Sequence, residues 1–335
     1  MAQIRTQIFE SICVPICVYL WTSSISLQAR IMNNKHKYKV FGLNVESVLE
    51  LPELMKFDFR IPDVSVSFDR VPDELEDYKS KGVLYKAKPG TFLFKLDTVG
   101  KYLVENGKSI KIERLNDSTD EELRLFLLGS AFGALLHQRE MLPFHGSTVV
   151  KDGRAVVISG NSGAGKSTLA AVLVKRGYHL LADDVSVMNF KDKEAIIYPG
   201  IPHLKLWEDV LKKMGEPTDY EKVRPQLLKY RKPVQDSIID EAIRAEKIII
   251  LGTKNSEGFE SKQVKGIEKF NMLKNNTYRF QFVEGLGVTK KHFEMVSRLA
   301  GSVEVWQVRR PSSPLLLEEL ADYVEEIGEV GDWGI

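Results

Sequence analysis

The sequence predicts an α/β protein in which a smaller, mainly β N-terminal domain precedes an α/β domain built around a phosphate-binding loop. Three observations support this fold class. Short runs of partly alternating polar and apolar residues occupy the region 38–118. A glycine-rich segment, GNSGAGKST, follows an apolar run, and a second apolar run, YHLLA, ends in two adjacent aspartates. Strand, glycine loop, helix and strand in this order are typical of nucleotide-binding sheets.

The composition limits the classes of function. The chain has 335 residues, of which 43% are hydrophobic, enough for about two domains. Its 47 Lys and Arg against 46 Asp and Glu give a formal net charge of +1, so no global field attracts nucleic acid or an anionic membrane, and we expect neither as a partner. The only cysteines, Cys13 and Cys17, leave the rest of the chain without thiol ligands or disulfides, as suits a reducing cytoplasm.

Residues 1–37 differ from the rest and are predicted to form a poorly ordered extension. The apolar run from Ile12 to Trp21 loosely imitates a secretory signal. It has only half of the roughly 20 residues that span a bilayer, and Pro15 interrupts it. Translation from upstream of a start at Met32 would explain this leader.

Residues 38–118 are predicted to form the small β domain, which we expect to be a scaffold or docking surface. Its strands are the runs YKVFGLNV, DVSVSF, GTFLFKL, GKYLVENG and KSIKIERL, separated by turn-forming residues. The α/β domain, 119–335, opens with a helix that extends to about Arg139. Ser118 and Glu121 have capping-box spacing at its start, and its broad apolar face predicts core packing.

A hairpin is predicted around Asp152-Gly153, because this dipeptide strongly favours a two-residue turn between strands. Pairing counted outward from the turn places His145 opposite Gly160. A histidine at that position is aimed at the phosphate loop, where it can influence proton transfer.

The segment from Gly160 to Ser167 matches G-x-x-x-x-G-K-[ST] in the required context of strand, loop and helix. Its backbone N–H groups can surround phosphates, Lys166 can reach the β and γ oxygens, and the Ser167 hydroxyl can ligate Mg²⁺. We therefore expect ATP and Mg²⁺ as cofactors. The predicted nucleotide-binding residues are Gly160, Asn161, Ser162, Gly163, Ala164, Gly165, Lys166, Ser167 and Thr168.

Asp183 and Asp184 follow the short strand predicted for YHLLA, at the carboxyl edge where α/β sheets build their sites. Neighbouring residues at a strand end point in different directions, so one aspartate can hold Mg²⁺ while the other faces a phosphate acceptor. Two adjacent carboxylates would repel each other without a metal.

His145-Gly146, the glycine loop and KRGYHLLADD resemble the HPr kinase/phosphorylase family of bacterial serine kinases, whose core is similar to that of phosphoenolpyruvate carboxykinase. The resemblance implies a P-loop kinase core of the HPr kinase/carboxykinase type and a homo-oligomer. It implies that His145 lies beside the transferred phosphate, that Asp183 is the base for the acceptor serine, and that Asp184 helps to bind the metal. The later RG-[LI]-G-[IV]-[IV]-D-type segment of that family is missing here, and the N-terminal domain differs from theirs.

From residue 38 onward the chain resembles more closely the HPr-kinase-related proteins of ribosomal peptide pathways, including the lasso-peptide kinases. The resemblance depends on FGLNV, RLFLLGSAFGALLHQREMLPFHGS and YPGIPHLKLW. It implies phosphorylation of a peptide serine at the C-terminus of a precursor.

The downstream segment YPGIPHLKLWEDV is predicted to be a Pro/Gly loop that leads into a helix, with His203 and Lys205 in its exposed part. Lys205 is either an ordinary surface lysine or a contact to the transferred phosphate. A basic cluster follows, which is either a solvated face or a clamp for phosphate or a C-terminal carboxylate: Arg224, Lys229, Arg231 and Lys232. Within this cluster, Arg224 is the candidate substrate contact.

Beyond the cluster, EKIIILGT and VEVWQVRRP are predicted to be further strands of the sheet, and the acidic C-terminal run an amphipathic helix with a frayed tail. The whole pattern predicts a cytoplasmic kinase that uses ATP and Mg²⁺ to phosphorylate a serine hydroxyl on a protein or peptide. Two alternatives remain at this point: a small-molecule kinase or carboxykinase-like enzyme with the same core, and a non-catalytic nucleotide-binding regulator.

Overall fold

The computed structural model describes residues 35–224, 227–234, 241–314 and 316–329. The extension predicted for residues 1–37 lies almost wholly outside the described residues, and so does the tail 330–335. In the described part of the chain, no helix combines the length and the apolar character needed to cross a membrane.

The N-terminal region forms one nine-stranded sheet, with the strand order β3-β1-β2-β4-β9-β8-β7-β6-β5. Its strands contain the five runs that the alternation predicts, since residues facing the core are buried and their neighbours are more exposed, as along β4. The strand bounds are β1 (His36–Val40), β2 (Leu43–Ser47), β3 (Met55–Lys56), β4 (Val64–Phe68), β5 (Ser80–Lys81), β6 (Tyr85–Lys88), β7 (Thr91–Leu96), β8 (Gly100–Glu105) and β9 (Ser109–Arg114).

A helical segment follows, made of α1 (Asp120–Phe126), a π-helical turn (Leu127–Ala131) and α2 (Phe132–Gln138). The capping box predicted for Ser118 and Glu121 is wrong by one residue. The Thr119 side chain accepts a hydrogen bond from the Glu122 backbone N–H, and the Glu122 carboxylate accepts one from the Thr119 N–H. Ser118 is buried and donates instead to the Val99 carbonyl at 2.7 Å, so it belongs to the contact with the sheet.

This helical segment packs on the N-terminal sheet. Leu123 and Leu127 are fully buried in the same apolar cluster as Tyr38 and Tyr102 of the sheet. The Tyr102 hydroxyl donates to the Leu123 carbonyl at 3.0 Å. The segment therefore connects the N-terminal sheet to the phosphate-loop core.

The core contains the second sheet, with the order β11-β10-β13-β14-β17-β19-β18, and a separate pair, β15-β16. β12 pairs with β10, and β11 also pairs with β17 in parallel. The bounds are β10 (Leu142–Lys151), β11 (Arg154–Gly160), β12 (His179–Ala182), β13 (Val185–Lys191), β14 (Glu194–Tyr198), β15 (His203–Trp207), β16 (Lys229–Pro233), β17 (Ile243–Lys254), β18 (Glu260–Gln263) and β19 (Glu304–Pro311).

Helices cover both faces of this sheet. Along β17, Ile249 and Leu251 lie in one apolar cluster, whereas Ile248 and Ile250 lie in another. The first cluster includes residues of α3 (Lys166–Lys175), α4 (Glu208–Lys213) and α7 (Leu317–Glu329), and the second includes residues of α5 (Gly266–Asn275) and α6 (Thr289–Ser302). The strands predicted for EKIIILGT and VEVWQVRRP are confirmed as parts of β17 and β19.

The predicted hairpin forms between β10 and β11. Asp152 and Gly153 have φ angles of 52° and 73°, the left-handed conformations that a two-residue turn of this type requires. The ladder follows the predicted register outward from the turn and ends at the pair Gly146–Ser159.

The last pair of the predicted register, His145 with Gly160, is not part of this ladder. The His145 N–H donates instead to the Asn276 carbonyl at 2.8 Å, and His145 pairs with Val185 of β13. The histidine still lies next to the phosphate loop, because the Ser159 hydroxyl donates to the His145 carbonyl at 2.6 Å.

The exposed loop predicted for His203 and Lys205 is wrong. These residues belong to β15, which pairs with β16 from His203–Pro233 to Trp207–Lys229, and both side chains are half-buried. The pairing partner lies well downstream in the chain, so the local Pro and Gly signals could not indicate the strand.

Candidate active site

The phosphate loop connects the end of β11 to the start of α3. Gly160 has a φ of 133°, and a Cβ atom there would lie 2.2 Å from the Leu251 carbonyl oxygen, so only glycine fits against β17. Gly165 precedes the helix with a φ of 105°. The Lys166 Nζ donates to the Gly160 and Asn161 carbonyls at 3.0 and 3.2 Å, which places the ammonium over the loop.

Arg310, which the sequence analysis did not single out, also supports this loop. Arg310 is the penultimate residue of β19 and is 6% exposed, and its Nε donates to the Ala164 carbonyl at 3.0 Å. Its Nη2 approaches the Gly163 carbonyl at 3.4 Å. Two loop carbonyls thus point toward a buried guanidinium. The loop N–H groups are then free to face a bound phosphate.

Asp183 is the buried member of the aspartate pair, with 4% of its surface exposed. Its Oδ1 accepts hydrogen bonds from the hydroxyls of Ser147 at 2.5 Å and Ser167 at 2.9 Å. Its Oδ2 accepts the backbone N–H of Lys205 at 2.8 Å. The carboxylate therefore joins β10, the phosphate loop and β15 at one point.

Asp184 points in a different direction, with a φ of 72°. Its Oδ2 accepts a hydrogen bond from the Lys205 ammonium at 2.7 Å, and its Oδ1 lies 3.7 Å from His145 Nδ1. Burial alone would raise the pKa of Asp184, but the charge and hydrogen bond of Lys205 outweigh it and bring the pKa to about 2. Asp184 is thus ionised at neutral pH, and the pKa of Lys205 is raised by the same pairing against the effect of its burial.

His145 is neutral at pH 7. Burial lowers its pKa and the nearby Lys166 charge lowers it further, although the aspartates oppose this shift. Its Nδ1 lies 3.0 Å from the Asp184 carbonyl oxygen, which can only accept, so Nδ1 carries the proton. The Nε2 atom consequently has a free lone pair that can accept a proton.

Residues 276–279, which the sequence analysis did not single out, form the surroundings of His145 on the side away from β13. Asn276 binds the His145 N–H, and its side-chain oxygen accepts from the Ser159 hydroxyl at 3.0 Å. The Tyr278 ring lies 6.0 Å from the His145 ring, and burial raises the pKa of its hydroxyl. This segment fixes the position of the histidine from outside the hairpin.

A cavity of about 310 Å³ opens beside the two aspartates. Its walls come from Glu53 of the N-terminal region, from Arg124 and Phe126 of α1, and from Lys205, Arg224 and Lys229 of the core. Arg224 lines the cavity, and its guanidinium carbon lies over the Phe126 ring, 5.8 Å from the ring centroid.

Magnesium is compatible with the oxygen atoms at the loop. Ser167 Oγ and Asp183 Oδ1 lie 2.9 Å apart, and hydroxyl and carboxylate oxygens are the ligands that Mg²⁺ prefers beside nucleotide phosphates. Among the described residues there is no group of three or more His, Cys, Asp or Glu that could hold a metal ion without help. A cation here would therefore depend on phosphate oxygens and water for its other ligands.

One segment of the chain is similar to a known protein family. Residues 137–205 match the HPr Serine kinase C-terminal domain. The HPr kinase/phosphorylase of Prosthecochloris aestuarii is 49% identical over 57 residues, which cover 17% of each chain. The HPr kinase/phosphorylase of Bacillus velezensis is 30% identical over 132 residues, which cover 39% of this chain and 41% of the relative.

Among solved structures, the Hpr(Ser) kinase/phosphatase from Coxiella burnetii is similar with a TM-score of 0.30 and 16% identity, over 56% of this chain and 99% of that one. The chain spans less than half the length of the curated relatives quoted above. The sequence matches relate the segment around the phosphate loop, the histidine and the aspartate pair to the HPr kinase/phosphorylase family.

Proposed function

We propose that this protein is a cytoplasmic kinase that uses ATP and Mg²⁺ to phosphorylate a serine hydroxyl on a protein or peptide. The observation that supports it best is the position of Asp183 between the phosphate-loop Ser167 and the Lys205 backbone, with Asp184 beside it facing the cavity. One carboxylate is thus on the nucleotide side and the other on the side where an acceptor can enter.

The chain's own residues account for the transfer by positioning and charge. The loop N–H groups and Lys166 would bind the ATP phosphates, and bound Mg²⁺ would neutralise charge on the phosphoryl group. Lys205 and Lys229 would attract the transferred group, since both lie near Asp184 and Lys229 also acts on the pKa of Lys166. No covalent protein intermediate is needed.

The two aspartates admit two assignments. Family resemblance makes Asp183 the base for the serine and Asp184 the metal ligand. The contacts favour the reverse, because Asp183 binds the Ser167 hydroxyl and is buried, whereas Asp184 is more exposed and borders the cavity with Lys205 and His145. In the reversed assignment the neutral Nε2 of His145 is a second group able to accept the serine proton.

The acceptor that we propose is a serine of a peptide, in the manner of the precursor peptides of ribosomal pathways. The lining includes the helical segment and Glu53 of the N-terminal region as well as the core, which supports an extended peptide that contacts all three. We further propose that the protein forms a homo-oligomer, as the family resemblance implies.

The test is incubation of the full chain with labelled ATP, MgCl₂ and a panel of serine peptides and small hydroxyl metabolites, with products read by mass. We expect phosphoserine on a peptide, no product when the serine is replaced by alanine, and no product from Lys166→Ala, which lacks the ammonium over the loop. Phosphorylation of metabolites alone would indicate a small-molecule kinase. ATP binding without acceptor-dependent turnover would indicate a regulator.

A further inference from the structure

Three residues that line the cavity beside the aspartates each have a buried polar atom that lacks a partner. In the described part of the chain, three buried side-chain atoms have no hydrogen-bond partner: Glu53 Oε2, His203 Nδ1 and Arg279 Nε. All three residues line this one cavity. Buried polar groups are nearly always satisfied in folded proteins, so their coincidence indicates a surface that a polar ligand completes.

The charges of the cavity indicate the sign of that ligand. Two of its cations are paired with carboxylates: Arg124 with Glu53 at 2.9 Å, and Arg231 with Glu221 at 2.9 Å. Lys205 is neutralised by Asp184. Three other cations make no ion pair with a carboxylate among the described residues and instead lie against aromatic rings: Arg224 on Phe126, Lys229 on Trp207 and Arg279 on Tyr278.

An aromatic ring orients a cation without cancelling its charge. Against these three cations the lining has one carboxylate without an ion pair among the described residues, Asp183, so the cavity keeps a net positive charge. The charge of Lys229 contributes to lowering the pKa of both Asp184 and Lys166. Lys229 therefore lies close enough to these residues to contact the transferred phosphate. Arg224 lies against Phe126 of α1, is exposed, and is available to another anion.

We propose that Arg224, held on the Phe126 ring, binds a carboxylate that the acceptor carries next to its serine. This inference rests on the proposed kinase function and adds the class of its substrate, an acidic peptide. A guanidinium binds a carboxylate through two parallel N–H···O bonds, which fixes the peptide's direction as well as its position. The carboxylate is either an Asp or Glu side chain or the C-terminus of the peptide.

The experiment uses four peptides that differ only beside the serine: one with Asp after it, one with Asn in that place, one that ends in serine as the free acid, and its C-terminal amide. Steady-state rates with ATP and Mg²⁺ give kcat and KM for each. For the wild type we expect one acid to have a KM lower than its neutral counterpart by about 10-fold or more. Which acid shows the preference identifies the source of the carboxylate.

Arg224→Gln should remove most of this preference, Arg224→Lys should keep part of it, and Phe126→Leu should weaken it. Arg60→Gln is the matched control, since Arg60 is an exposed arginine outside the cavity lining, and it should keep the preference in full. Thermal unfolding of each variant checks that the fold is intact.

The inference would fail, while the proposed kinase function stands, if the wild type has equal rates for all four peptides or if the preference survives in Arg224→Gln. A rise in the KM for ATP instead of the peptide would assign Arg224 to the nucleotide and overturn it as well. If the wild type phosphorylates no peptide while it binds ATP, the proposed function fails and the inference with it.

Discussion

Ser167 Oγ donates a hydrogen bond of 2.9 Å to Asp183 Oδ1, so the first strand-end aspartate is held directly against the phosphate-loop serine. Asp184, the next residue, has no such contact and is paired with the Lys205 ammonium at 2.7 Å. Adjacent carboxylates thus have different environments, and the site can separate metal binding from acceptor chemistry.

Substitution of each aspartate by asparagine tests which one serves the metal. Asp183→Asn removes a charge beside Ser167, so if Asp183 is the metal-side group, the Mg²⁺ concentration for half-maximal rate should rise and partial activity should return at high Mg²⁺. Asp184→Asn should then preserve ATP·Mg²⁺ binding but reduce the transfer rate by about 10²-fold or more. Calorimetric ATP titrations and transfer rates across a Mg²⁺ series give both profiles.

The opposite pattern would restore the assignment that family resemblance implies, with Asp183 as base and Asp184 as metal ligand. Equal loss of metal dependence in both variants would make them joint ligands and leave His145 as the base. Unchanged transfer in both variants would contradict the kinase proposal itself.

Arg310 is expected to affect nucleotide affinity although it lies outside the loop. Arg310→Met removes the donors that hold the Ala164 and Gly163 carbonyls, so the loop N–H groups lose their fixed direction. Hydrogen bonds from charged groups contribute about 1.5–3 kcal/mol, which predicts a Kd for ATP that is about 10- to 100-fold higher. Arg309→Met, which changes the exposed neighbour on β19, is the control in the same titration. Equal affinities for the two variants would contradict this role.

Local patterns in the sequence predicted the parts of the site that are close in the chain. The loop from Gly160 to Ser167 and the turn at Asp152-Gly153 each have a local signature, and the turn sets most of the β10–β11 register. The register failed only at His145, because Asn276, more than a hundred residues downstream, takes its N–H.

The parts of the site that were not predicted depend on distant pairing. Lys205 was expected in a loop, but β16 makes its segment a strand. In the sequence Arg310 looks like an ordinary strand residue. Only the parallel pairing of β19 with β17 brings the end of β19 to the phosphate loop. Glu53 carries no local signal at all, since its partner Arg124 lies 71 residues away and Arg231 farther still.

The activity should decline on the acid side through protonation of His145. Burial and the Lys166 charge lower the pKa of His145, so the protonated form should become dominant only below the ordinary value of about 6.5. Asp184, with a pKa of about 2, stays ionised throughout this range and contributes no inflection. The profile of kcat/KM between pH 5 and pH 9 should therefore fall at the acid end.

His145→Asn retains a donor for the Asp184 carbonyl but cannot titrate. We expect a lower plateau and the disappearance of the acid inflection in this variant. An inflection that remains at the same pH would assign the titration to another group and would remove His145 from the proton chemistry.

A second buried histidine should control stability instead of activity. His137 is 2% exposed, and its Nε2 donates to the Tyr278 carbonyl at 2.9 Å. Burial lowers its pKa to about 4, with only partial compensation from that hydrogen bond. The unfolded chain, with a histidine pKa of about 6.5, therefore binds more protons than the folded protein as the pH falls from 6.5 toward 4. The stability contributed by neutral His137 is present above pH 6.5 and is lost on acidification.

For one such histidine, lowering the pH from 7 to 5 should cost about 2 kcal/mol of the free energy of unfolding. His137→Gln keeps a donor for the Tyr278 carbonyl but does not titrate, so its loss between these pH values should be smaller than that of the wild type by about this amount. His292, also buried with a pKa of about 4, still titrates in the variant and leaves a residual dependence of the same sign. Urea unfolding at pH 7 and pH 5 measures the difference, with His179→Gln as a surface control. A buried neutral histidine takes up a proton when the chain unfolds at acid pH, so its removal must reduce the dependence of stability on pH. An equal loss in wild type and His137→Gln would therefore show that burial does not keep His137 neutral in the folded protein.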